Sequence, residues 1–271
     1  MSAETTVPGA SPAADLHERH RYGDIEVNIT AATTLATTAA KAVKQACVAQ
    51  GETMACFILA WRGQDPIGLV AVTGRRREYL AAAELFIDSL GADLLAMTAD
   101  SRMVRTQANP DTGQTWRPGE ISAYARAHPD KEGEVFTEVL ATIVVNRAGD
   151  RGHAMNAYRV TPSPFRAGHH HLTWLDWAPD EAAPSGAIPE ALAAAMGRPS
   201  LDVRYVHAGG DLAEIEQWRD EADIATLAAM HQRLGSAARM MLFAEPGTPR
   251  DQLLRSRLNP EQIRWTRDLG L

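Results

Sequence analysis

The stretch that decides the fold is residues 55–73, ACFILAWRGQDPIGLVAVT. Two short apolar runs, 55–61 and 66–73, are parted by Arg62-Gly63-Gln64-Asp65. Runs of this length, bounded by turn residues, predict a β-hairpin rather than a pair of helices. Both faces of each run are apolar, so the strands are expected at the centre of a sheet, covered on both sides.

Working outward, residues 31–50 carry Leu35, Ala39, Val43 and Cys47 at four-residue spacing and end at Gly51, which predicts a helix. The threonines in this run oppose helix formation, because β-branched side chains lose rotamer freedom there. Residues 76–90 predict a second helix with a stripe of Leu80, Ala83, Ile87 and Leu90 and a capping Gly91. A third strand is expected over 93–99, and a long polar stretch over 101–134, with a turn at Asn109-Pro110-Asp111-Thr112-Gly113 and a short helix over 119–127. The sheet resumes at 135–146, where Val139, Ile143 and Val145 share a face. The chain turns at 148–152 and returns over 153–161 until Pro162 and Pro164 stop it. Another strand is expected over 169–177, a short helix over 189–197 and a last strand over 201–207. From residue 211 the chain reads as helical to its end. Asp211 and Glu214 suggest a capped start, and Thr248-Pro249 and Asn259-Pro260 open two short closing helices.

The fold class is therefore α+β: a mainly antiparallel sheet flanked by helices, with a helical C-terminal segment. The organisation expected is a mobile tail over 1–23, a sheet domain over 24–178 with an insertion at 101–134, and a mostly helical segment over 179–271. The order helix, two strands, helix, three strands over about 31–161 resembles the GAF and roadblock/longin/profilin-like group of folds. That resemblance lies in element order, and implies a sheet that binds small ligands, other proteins or membrane-associated partners.

Composition bounds the function. The chain has 271 residues, 45% hydrophobic and 23% charged, which excludes a wholly disordered chain. No apolar run reaches the roughly 18 residues of a membrane span. No secretory signal is visible, so a cytoplasmic protein is expected. The net charge of −7 speaks against a surface that wraps nucleic acid. Two cysteines, Cys47 and Cys56, are too few for a disulfide framework and read as buried apolar groups.

Four groups of residues bear on chemistry. His169-His170-His171 opens a strand, so His169 and His171 are expected on one face, an arrangement that can give two ligands to a divalent metal such as zinc. His153 or His207 is the candidate third ligand, and Glu138 or Asp100 the candidate general base. The sequence around His17 and His20 lacks the H-E-x-x-H spacing of a zinc-protease helix. The long stretch holds Arg102, Arg105, Trp116 and Glu120, a set suited to a pocket wall or protein contact. Arg75, Arg76 and Arg77, with Arg250, Arg255, Arg257, Arg264 and Arg267, are candidate phosphate contacts, although Glu245, Asp251, Glu261 and Asp268 nearly balance the C-terminal set. Phosphate-binding glycine loops, a G-x-S-x-G nucleophile and a C-x-x-C pair are all absent from the sequence.

The function expected first is binding, as a regulatory or mobile-element accessory protein whose partner is another protein or a second copy of itself. A metal-dependent hydrolase on the histidine cluster comes second. A regulatory protein touching nucleic acid through its arginines comes third.

Overall fold

The computed structural model describes residues 25–63, 65–74, 76–89, 91–117, 120–164, 168–176, 187–198, 209 and 215–265. Its strands are β1 (Cys56–Arg62), β2 (Asp65–Val72), β3 (Leu94–Val104), β4 (Phe136–Asn146), β5 (Arg151–Pro162), β6 (His170–Trp174), β7 (Ala238–Ala244) and β8 (Ile263–Trp265). They form one sheet in the order β6-β5-β4-β3-β1-β2-β7-β8. Every neighbouring pair is antiparallel except β7 with β8. The helices are α1 (Ile25–Gln50), α2 (Arg76–Ser89), α3 (Glu120–Ala127), α4 (Ala187–Met196), α5 (Ile215–Leu234) and α6 (Pro249–Arg257). The chain is α+β, as its sequence pattern predicts.

The hairpin at the centre forms as expected. Arg62 pairs with Asp65 across a two-residue turn, and Gly63 supplies the positive φ of 58° that such turns need. On one face the alternate strand residues Ile58, Val70, Leu95, Met97 and Leu242 are buried under α2, α4 and α5. On the other face α1 crosses the sheet diagonally. Its first half packs on Leu59, Trp61, Leu94 and Val144, and its second half on Leu140, Tyr158 and Leu172.

The buried stripe of α1 is Ala32, Ala36, Ala40, Lys44 and Val48, one position away from the stripe expected. Leu35, Val43 and Cys47 flank it half-buried, and Ala39 is exposed. Small residues hold the contact line because the helix lies close to the sheet. A Cβ built on Gly152 of β5 would stand 2.6 Å from Thr33 Oγ1 and 2.8 Å from Ile29 Cγ2. The threonines that oppose helix formation are satisfied here. Thr33 and Thr34 donate to the carbonyls four residues back, at 2.7 and 2.9 Å. Thr37 donates to Thr142 of the sheet at 3.0 Å, and Thr142 is 3.1 Å from Thr98.

Three further differences have physical causes. β3 runs on to Val104, six residues past the last one paired with β1, because β4 pairs with it along its whole length. The C-terminal segment is not all helix. Gly235, at φ 55°, ends α5, and the next residues enter the sheet beside β2 as β7. Thr248 caps α6 as expected, accepting from the Asp251 N–H, whereas Asn259-Pro260 opens a single 3-10 turn before β8. The N-terminal tail and the strand expected over 201–207 lie outside the described residues.

Candidate functional site

The polar side chains of interest gather on the α1 face, at the end of the sheet where β3 outruns β1. Register alone places them in a row: Arg102 pairs with Glu138, Glu138 with Tyr158, and Tyr158 with Trp174. Paired residues in adjacent strands share a face. Asp100, opposite Leu140, shares that face two residues away.

Lys44 reaches down from the buried stripe of α1 to this row. Its Nζ lies 2.7 Å from Asp100 Oδ2 and 4.6 Å from the centre of the Tyr158 ring. Tyr158 donates its hydroxyl to Asp100 Oδ1 at 2.9 Å. Both Asp100 oxygens thus accept, and the Lys44 ammonium is neutralised in a site where only 8% of its side chain is exposed. Burial, reinforced by the Asp100 charge, pushes the Tyr158 phenol well above its ordinary value, so it acts as a donor and stays protonated. Lys41 lies over the Trp174 ring at 4.8 Å, which extends the row to β6.

Arg102 Nε donates to Glu138 Oε1 at 2.6 Å. Burial raises the Glu138 carboxyl above its ordinary range, more than the Arg102 guanidinium lowers it. Asp100 and Glu138, the two acids singled out in the sequence, line one cleft of about 290 Å³ with Ser101, Arg102, Ile121 and Ser122.

The wall holding Ile121 and Ser122 is α3, carried by the chain between β3 and β4. This excursion has a small core of its own, Tyr124, Ala125, Val135 and Phe136, with Trp116 edge-on to Tyr124 at 5.3 Å. Buried Asn109 donates to Glu120 at 2.7 Å, Glu120 also accepts from the Arg117 N–H, and the Trp116 indole donates to the Thr106 carbonyl at 3.0 Å. These bonds brace the chain from Thr106 to the first turn of α3. Glu120 thereby serves the architecture of the excursion rather than the cleft.

The histidines do not converge with these acids. β6 starts beside the end of β5, with His171 opposite Thr161, whereas His153 sits eight residues earlier opposite Ile143. At about 3.3 Å per residue the two imidazoles belong to opposite ends of β5. His153 is therefore not a third ligand beside His171. His169 precedes the strand, and its Nδ1 lies 2.8 Å from the Ala49 carbonyl oxygen. Glu138 lies on the α1 face in the Trp174 row, three residues from His171 and on the opposite face, so it is not the base for that pair. His207, His17 and His20 lie outside the described residues. Among the described residues no three His, Cys, Asp or Glu side chains gather to hold a metal.

The arginines are largely committed within the fold. Arg250 pairs with Asp220 at 2.8 Å and with buried Asp223, and donates to the Phe243 carbonyl at 2.9 Å. Arg255 pairs with Asp251 and stacks on Trp265 at 4.1 Å, and Arg257 pairs with Glu221. Arg77 bonds Glu78 on an exposed surface, Arg76 is exposed beside it, and Arg264 is exposed on β8. Arg75 and Arg267 lie outside the described residues. Among the described residues no helix is long and apolar enough to cross a membrane.

Lys44 and Tyr158 are the site residues that sequence reasoning missed. The signal for Lys44 was present: a lysine in an alanine stripe of period four marks a buried cation that needs an anion. No protein-family model, curated protein or solved structure matches this chain, so the likeness in element order gains nothing further from comparison.

Proposed function

We propose that the protein acts by binding, and that the cleft between β3, β4 and α3 receives another protein. The observation that carries this reading is the pairing of the charges that line the cleft, Asp100, Arg102 and Glu138. Lys44 is bound to Asp100, and Arg102 to Glu138. A nucleophile or general base needs a lone pair or proton aimed at a reacting atom. Here both Asp100 oxygens accept from Lys44 and Tyr158, and the Tyr158 phenol is held neutral. What remains open is a polar recess walled by an excursion with its own core. That suits recognition on a rigid scaffold.

A photo-crosslinking residue placed at Ser122 tests the reading. In the native cell it should capture a defined protein, and capture should fall sharply when Arg102→Ala disturbs the cleft. Capture no greater than from the exposed position Asp111 would overturn it.

A further inference from the structure

Resting on that reading, the backbone of β3 says how the partner sits. β1 pairs with β3 only from Leu94 to Thr98, while β4 pairs with it from Leu94 to Val104. Among the described residues no strand pairs with the β1 side of β3 beyond Thr98. Among the described residues an interior strand thus carries an open edge of six residues, about 20 Å long. The outermost strands are short, five residues in β6 and three in β8, and β5 likewise has no described strand beside it on the β6 side from Arg151 to Asn156. Proteins usually cover or shorten such edges, because unpaired N–H and C=O groups invite another strand.

The direction of those groups follows from the ladder. The Arg105 N–H donates to the Val135 carbonyl at 2.8 Å, and the Arg147 N–H to the Asp93 carbonyl at 3.0 Å. Both contacts assign the odd-numbered residues of β3 to bonding with β4. In an antiparallel ladder the intervening residues point their N–H and C=O the other way. Asp100 and Arg102 therefore aim their backbone groups at the open edge and their side chains into the cleft that Ile121 and Ser122 of α3 also line. An unpaired strand edge beside a recess that receives side chains is the layout of strand-addition recognition.

The charge pattern selects the occupant. Each charge lining the cleft, Asp100, Arg102 and Glu138, is already held in an ion pair, so a charged side chain entering the cleft would be desolvated without a free counter-ion. We propose that an extended segment of a partner protein, uncharged where it enters the cleft, adds to the sheet as a strand along the open edge of β3, bonding the backbone of Asp100 and Arg102.

The test uses the full chain and an eight-residue random peptide display library. Binders lost on Ser122→Trp are synthesised, with circular dichroism confirming that the variant is folded. Each peptide is then N-methylated on one or the other set of alternate amides. Strand addition predicts that one set costs at least about tenfold in affinity and the other almost nothing. It also predicts slower hydrogen exchange at the Asp100 and Arg102 amides on binding. Equal effects from the two sets, with unchanged exchange at those amides, would overturn the inference even if Ser122→Trp were misfolded. If no peptide binds the cleft while the Ser122 crosslink still captures a protein, strand addition fails and the binding reading stands. Loss of the crosslink as well removes both.

Discussion

At the residue scale, Lys44 shows how a single cation is made affordable inside an apolar layer. Its ammonium meets Asp100 at 2.7 Å and the face of Tyr158 at 4.6 Å. Removing it leaves a carboxylate that is 26% exposed without its main partner, so Lys44→Met should cost about 2–3 kcal/mol in urea unfolding. A cost near zero would mean that the pair contributes nothing to stability. Glu138 gives a pH signature. Burial raises its carboxyl above the ordinary 4.5, so the folded state holds the proton more tightly than the unfolded chain. The stability this brings is present in full below about pH 4.5 and is lost as pH rises through the folded value. Glu138→Gln removes the titration, so the variant should gain stability relative to the parent as pH rises from about 4 to 7. A pH-independent difference contradicts this. For the thiols, burial pushes Cys56 up to about 12, and burial also raises half-buried Cys47. Iodoacetamide at mildly alkaline pH should leave Cys56 unmodified in the folded protein and label it after unfolding. Rapid labelling of the native protein would refute the burial.

At the element scale, sequence periodicity was most informative where one pattern dominated. The hairpin 55–73 and the pair 135–161 were legible because turns bounded apolar runs of strand length. The buried face of α1 lies one residue from the stripe of Leu35, Val43 and Cys47, because small side chains and not large ones mark the contact line. Close packing over Gly152 puts alanines on the contact line and Leu35 at its flank. Gly152→Val should therefore destabilise the protein by about 1–3 kcal/mol through overpacking against Thr33 and Ile29. Calorimetry showing an unchanged midpoint would mean that α1 shifts freely. The end of β3 was missed for a different reason. Asp100, Ser101 and Arg102 look like loop by composition, and only the partner β4 holds them extended. The candidate acids were found in the sequence, but their meeting place depends on register that no local pattern encodes.

At the scale of the whole molecule, the C-terminal segment is fastened to the sheet by charge as well as by apolar burial. Arg250 of α6 bonds the carbonyls of Phe243 in β7 and Ile67 in β2, and pairs with Asp220 and Asp223 of α5. Arg62 of β1 meets the same fully buried Asp223 at 3.4 Å. Arg250→Met leaves that carboxylate with only the longer Arg62 contact and should cost about 3 kcal/mol, while the double variant with Asp223→Leu should recover part of the loss. Additive losses in urea unfolding would show that the pair is not coupled. From the sequence Arg250 reads as a candidate phosphate contact and Arg62 as part of the hairpin turn. Their interior role became visible only when β7 entered the sheet beside β2.

Among the described residues β3 is paired on both sides up to Thr98 and on one side beyond it. Residue-resolved hydrogen exchange on the free protein measures this directly. The amides of Ser101 and Met103, bonded to β4, should exchange slowly, and those of Asp100 and Arg102 rapidly. Uniform protection from residue 99 to 103 would show that the edge is already covered, and would contradict the account.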